Sequence, residues 1–154
     1  MKLLLCAVSL LCVGSLFAAG SVSETRAAID PPQKITLAWT AALDGTVAVT
    51  SQPVRGEMNR VVFVSGTPSP TNATYAVTLS DQNGVDVLAG QGSAIATNAP
   101  GSASQVVPGV LVVTTAGVTN LMPLVVNGKL SLAISGVGTN ATAGKQGTVI
   151  IYVK

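Results

Sequence analysis

Between Tyr75 and Gly92 the chain reads YAVTLSDQNGVDVLAGQG, a stretch that limits the fold more than any other. Tyr75, Val77 and Leu79 alternate with Ala76, Thr78 and Ser80. That period of two places successive side chains on opposite faces of a strand. Asp81-Gln82-Asn83-Gly84 then breaks the run, and Asn-Gly tolerates the positive φ that a two-residue hairpin turn requires. Val85, Val87 and Leu88 resume the apolar pattern, and Gly90 and Gly92 end it. The stretch predicts a strand, a tight turn and a returning strand, so the architecture it demands is antiparallel β.

The same grammar recurs along the chain. Residues 34–41 place Ile35, Leu37 and Trp39 on one face and Thr36, Ala38 and Thr40 on the other. Asp44-Gly45 leads from there into residues 46–51, with Val47 and Val49 pointing one way, and predicts a first hairpin. Residues 52–58, with Pro53 and Gly56, read as a connection. RVVFVS at 60–65 is apolar on both faces, as a central sandwich strand would be. The Pro- and Ser-rich GTPSPTN at 66–72 is a loop. Residues 92–105 are small and polar, long for a loop in a compact domain, and are expected to be exposed and available for contacts. An apolar run at 106–115 is interrupted by Pro108-Gly109, which demotes its start to an edge or a turn. Asn127-Gly128 is a third hairpin signal, followed by Leu130, Leu132 and Ile134 on one face. Residues 136–147 form a second small-residue loop, and TVIIYV at 148–153 is a closing strand. No helical period survives beyond the N-terminal segment. About seven to nine short strands predict an all-β fold, an antiparallel β-sandwich or barrel of Ig-like or jelly-roll type.

Composition bears on what such a domain can do. The chain has 154 residues, enough for one domain with an appendage, and residues 34–154 are assigned to a single β-sandwich. Only 9% of residues are charged, against roughly a quarter in ordinary soluble domains. The polar surface must then be built of Ser, Thr, Asn, Gln and Gly, which repel neighbours weakly and favour packing in an assembly. The net charge of +2 is scattered, with no Lys/Arg cluster to suggest nucleic acid. There is no His, which excludes Ser-His-Asp triads, His-based acid–base catalysis and the usual zinc sites. Cys6 and Cys12 both lie in the apolar N-terminal run, leaving no disulfide framework or Cys-only metal site in the rest of the chain.

That run, residues 1–20, has Lys2 as a short basic region, the apolar LLLCAVSLLCVGSLFAA, and Ala18-Ala19-Gly20 before Ser21. It reads as a signal-peptide-like leader cut before Ser21. An uncleaved anchor is the main rival. A lipoprotein signal would need a small residue where Leu11 precedes Cys12, and a start codon assigned too early is a further reading. Residues 21–33, SVSETRAAIDPPQ, read as a polar linker stiffened by Pro31-Pro32.

Candidate sites are few. Asp81, Asn83 and Asp86 in DQNGVD are oxygen donors closely spaced on a tight loop, as Ca²⁺ prefers. The EF-hand order is absent, since no Asp stands fifth and Gly92 holds the twelfth place. Solvated carboxylates at a hairpin turn are the plainer reading. Gly90-Gln91-Gly92 has no helix start behind it to bind phosphate and reads as a bulge or loop. Of the aromatics past the leader, Trp39, Phe63, Tyr75 and Tyr152, the pair Phe63 and Tyr152 lie in strongly apolar strands and are expected in the core. No lysine is placed by a motif beside a nucleophile for Ser-Lys chemistry. Asn72 and Asn140 each open an N-glycosylation sequon, relevant only on a eukaryotic secretory route. No catalytic residue, cofactor or small-molecule substrate is indicated.

From Ile35 onward the chain resembles small β-rich virion proteins of tailed bacteriophages. The resemblance lies in ITLAWTAALDGTVAV, VVFVSGTPSPTNATYAVTLSDQNGVDVLAGQG, VVPGVLVV and the closing GTVIIYV. It implies a non-enzymatic β-sandwich that decorates or joins capsid or tail subunits, usually as a homo-oligomer, with other virion subunits as partners and the virion as location. The leader is the departure, because such proteins assemble in the cytoplasm. It supports the alternative of an exported bacterial surface or adhesion module, secreted or at the cell surface. A secreted enzyme or glycan-binding domain would want an aromatic platform or a paired-acid geometry that the sequence does not offer.

Overall fold

The computed structural model of the chain describes residues 20–27, 33–96, 99–113, 119–138 and 144–154. Apart from Gly20, the expected leader at residues 1–20 lies outside them, as do Pro31-Pro32 and the Asn140 sequon. The described residues hold ten strands: β1 (Ser21–Ala27), β2 (Gln33–Thr40), β3 (Val47–Thr50), β4 (Val54–Ser65), β5 (Ala76–Ser80), β6 (Ala103–Val106), β7 (Gly109–Val113), β8 (Thr119–Gly128), β9 (Ser131–Ser135) and β10 (Gln146–Val153). All pairings between them are antiparallel. The large sheet runs β1-β2-β10-β4-β8-β7 with β6 also on β4, and the small sheet runs β3-β9-β5. The described chain is all-β, two sheets in a sandwich-like arrangement.

Alternation decides what lies between the sheets. Ile35, Leu37 and Trp39 of β2, Val149, Ile151 and Val153 of β10, and Val61 and Phe63 of β4 are buried. The small sheet adds Val47, Val77, Leu79, Leu132 and Ile134 to the same core. Along β4 the buried positions are Val54 and Met58, then Val61, Phe63 and Ser65, so the inward phase slips by one residue. The slip falls where Tyr152 pairs with Arg60 and Val153 with Met58, leaving Asn59 as a bulge.

The turns form where expected, yet two of the three do not make hairpins. Asp44-Gly45 turns the chain, with the Gly45 amide donating to the Ala42 carbonyl at 3.0 Å. It then delivers β3 to the opposite sheet, because β2 already has β1 on one edge and β10 on the other. Asn127-Gly128 likewise leads from β8 to β9 in the other sheet, since β8 is flanked by β4 and β7. A buried hydroxyl ties the corners together. Ser51 donates its amide to the Leu130 carbonyl at 2.7 Å, and its hydroxyl accepts the Leu130 amide at 3.0 Å.

After Asn83-Gly84 the expected returning strand is reduced to a single bridge, Ser80 to Asp86. Asp86 then captures the Leu88 and Gly90 amides with its carboxylate, which rolls residues 87–94 into turns instead of extending them. This coil still covers the edge of β5. The Val87 amide donates to the Leu79 carbonyl at 2.7 Å, the Val77 amide to Gly92 at 2.8 Å, and Ile95 bridges Tyr75. An edge so covered offers no row of free backbone groups to another chain.

Three further stretches differ from their sequence reading. Residues 52–58 are not wholly a connection, because β4 begins at Val54. Gly56 fits there at φ +134, where a Cβ would meet Val153 and Lys154. The end of the expected loop at 92–105 is strand β6 on β4, and Ile95 is buried. Residues 21–27, read as part of a linker, form β1, paired with β2 from Ser21–Thr40 to Ala27–Lys34. With Val22 its main apolar side chain, β1 is held by the ladder and by a polar clasp. Arg26 donates to the Gln52 and Pro53 carbonyls at 2.9 and 2.8 Å, and Glu24 accepts the Gln52 amide at 2.9 Å.

Candidate functional site

The outward side of the large sheet spans the seven strands that the described residues give to it. Residues paired across an antiparallel ladder share a face, so the register lays the outward side chains out in rows. Ser23, Ala38, Thr148, Val64 and Ala103 lie abreast on β1, β2, β10, β4 and β6. Thr25, Thr36, Ile150, Val62 and Gln105 make the next row. Neither row holds an ionisable side chain. Val62, Val64, Thr148 and Ile150 are half-buried.

One row further on, Lys34, Tyr152 and Arg60 stand abreast on β2, β10 and β4. The Arg60 guanidinium carbon sits 4.1 Å from the Tyr152 ring centroid, close enough for the ring quadrupole to attract the cation. Beyond the bulge, Glu57 pairs with Val125 and Arg55 with Asn127. Val125 is 72% exposed, an isolated apolar side chain at this end of the sheet. Glu57 is bridged by the Lys154 ammonium at 3.2 Å. The face thus grades from uncharged to cationic along its strands.

Tyr152 is a correction to the sequence reading. It does not enter the core, as Phe63 does, because Val149, Ile151 and Val153 take the inward phase of β10 and leave Thr148, Ile150 and Tyr152 outside. That phase was visible in TVIIYV, although its alignment with Lys34 and Arg60 required the register.

Asp81, Asn83 and Asp86 lie close in sequence on the turn after β5, with the two Asp carboxylates directed to their own backbone. Asp81 Oδ1 accepts the Asn83 and Val85 amides at 2.8 and 2.9 Å, and Asn83 Nδ2 donates to Asp81 Oδ2 at 3.3 Å. Asp86 accepts the Leu88 amide at 3.1 Å and the Gly90 amide at 2.8 Å. The Val85 amide, with help from Asn83, holds the Asp81 carboxyl below the usual carboxylate range. Asp44 is held low in the same way by the hydroxyl and amide of Thr46. Among the described residues no group of three His, Cys, Asp or Glu is gathered to hold a metal ion.

Clefts indent the surface of the described residues. One of about 370 Å³ lies at the upper end of β1, β2 and β10, lined by Ser21, Ser23, Thr40 and Gln146 with no charged side chain. Another, about 270 Å³, lies between the 81–83 turn and β8, where Gln82, Asn127 and Lys129 join Asp81 and Asn83. Of the expected contact loops, 136–147 is partly packed: Val137 is fully buried and accepts the Thr71 amide at 3.0 Å. Residues 139–143 and 97–98 lie outside the described residues.

No family model matches the sequence, and no curated protein matches it. A chain from the structure of infectious bursal disease virus Gx strain is similar at 16% identity and a TM-score of 0.26. The match covers 89% of this chain and 32% of the other, so the chain spans about a third of that protein's length. A likeness this slight assigns neither fold nor role.

Proposed function

We propose that the chain is a non-enzymatic virion structural protein, of the kind that decorates or joins capsid or tail subunits in tailed bacteriophages. It docks through the outer face of the large sheet and works as a homo-oligomer. The observation that carries this reading is the pair of uncharged rows crossing five strands, centred on Ile150 and Val62. A pleated surface of Thr, Ala, Val and Ile sheds its water at little polar cost, the property an interface core needs. The 9% charged content and the phage-like sequence patterning support the same reading.

The test is the composition of purified virus particles and the intact mass of this chain within them. Stoichiometric presence is the expected result. Replacing Ile150 and Val62 by lysine should cut occupancy at least tenfold while leaving the melting temperature of the free protein within a few degrees. Free monomer that binds no capsid or tail component would end the reading.

A second reading, an exported bacterial surface or adhesion module, is supported by one coincidence. Cleavage at the expected position before Ser21 would leave β1 whole, because β1 starts at Ser21. A mature mass starting at Ser21 in an envelope fraction would favour it over the virion.

A further inference from the structure

We propose that the cationic end of the outer face, built on Lys34, Tyr152 and Arg60, recognises carboxylates on the surface of a partner protein. The uncharged rows pack against the same partner. This assignment rests on the structural-subunit reading and supplies the partner's chemistry. Among the described residues, four of the face's side chains are cationic, Lys34, Arg55, Arg60 and Lys154, against the one side-chain carboxylate of Glu57. Glu57 is already engaged by Lys154, and among the described residues no ion pair reaches Lys34, Arg55 or Arg60.

Arg60 is also pre-positioned. Its guanidinium rests on Tyr152, whose strand is enclosed between β2 and β4. A guanidinium held over a ring by the cation–π attraction still has N–H groups to offer, and its fork of donors fits a carboxylate with two parallel hydrogen bonds. Lys34 stands on the other side of the same ring row and offers a second cation to a neighbouring carboxylate.

The distribution of charge selects protein over nucleic acid. A phosphate backbone is met by cations that track it. Here the cations occupy one end, and aliphatic and hydroxyl side chains fill the rest of the face. A second copy is the weaker fit, because the carboxylates of Asp44, Asp81 and Asp86 already accept hydrogen bonds from their own loops.

The experiment uses the full chain, isotope-labelled, titrated with a synthetic peptide of alternating Glu and Val. Duplex DNA of equal charge is the competing probe, and sedimentation reports self-association. The peptide should shift the resonances of Lys34, Arg60, Tyr152 and Lys154. Its affinity should fall at least tenfold on going from about 0.01 M to about 1 M NaCl, as the screening length drops from about 30 Å to about 3 Å. Lys34→Glu with Arg60→Glu should lower low-salt affinity at least tenfold, while Lys129→Glu, in the turn between β8 and β9, should lower it less than threefold. If the double variant does not fold, Arg60→Gln carries the comparison, with an expected loss of several-fold. Absence of shifts at low salt, tighter binding of DNA than of peptide, or self-association through this face would overturn the assignment. Its failure is separable from that of the structural reading. Particles that retain the Lys34→Glu, Arg60→Glu protein at full occupancy and in high salt would defeat the charge assignment alone. Peptide binding by a protein absent from particles would defeat the virion reading alone.

Discussion

Trp39 and Tyr75 meet edge to face, with ring centroids 6.2 Å apart and planes inclined at 63°. Trp39 belongs to β2 of the large sheet, and Tyr75 stands immediately before β5 of the small one, so the contact joins the two layers. Both rings are buried.

Truncating the contact should therefore loosen the whole sandwich. Tyr75→Ala is expected to lower unfolding free energy by about 3–5 kcal/mol, the range for deleting a buried aromatic. Urea unfolding read by the emission of Trp39, the chain's single tryptophan, measures it directly. A loss below about 1 kcal/mol would mean that the layers are not held together here.

Gly92 should be irreplaceable for a different reason. A Cβ at this position would collide with the Val77 carbonyl oxygen, which accepts nothing bulkier than the backbone that covers β5. Gly92→Ala should cost at least about 1–3 kcal/mol. Gly101→Ala, where a Cβ meets open space, should incur only the strain of its positive φ. Equal melting temperatures for the two variants would contradict the close approach.

Ser51→Ala removes the buried acceptor of the Leu130 amide. An amide left without that partner costs about 1–3 kcal/mol. Hydrogen exchange at Leu130 should accelerate more than exchange at the centre of β10, and uniform acceleration would point to global destabilisation instead.

The acidic turns predict the acid limb of the stability curve. Asp81 and Asp44 have folded pKa values depressed by hydrogen bonds from Val85 and Thr46 respectively. Their contribution is complete above the ordinary carboxylate pKa of about 3.9 and is lost as pH falls through the lower folded values. Melting temperatures of the native protein should thus fall below about pH 4 more steeply than those of Asp81→Asn with Asp44→Asn. Parallel curves would refute the assignment.

Ile35, Leu37 and Trp39, like Leu130, Leu132 and Ile134, could be placed inside from alternation alone, because a strand exposes its period in its own residues. Turn positions were equally legible. Their use was not: whether Asp44-Gly45 makes a hairpin or a crossing depends on β10 filling the edge of β2, more than a hundred residues later in the chain. β1 is not legible in the sequence because SVSETRA contains little to bury, and its attachment comes from Arg26 and Glu24 reaching Gln52 and Pro53. At the turn after β5, DQNGVD advertises oxygen donors, whereas the folded loop spends the two Asp carboxylates on its own amides. The outer face was hidden more completely. Lys34, Arg60 and Tyr152 are far apart in sequence, and only the register sets them side by side.

The position of β10 sets the order in which this protein can come into being. β2 and β4 leave the ribosome early and wait with facing edges unfilled while all the intervening strands are made. The strand that joins them arrives after the other nine described strands. The large sheet is thus completed only once the other described strands exist, and until then the nascent chain carries two open edges that any other extended segment could occupy. Low charge, which suits the finished surface to packing, gives those waiting edges little protection from one another on a crowded polysome.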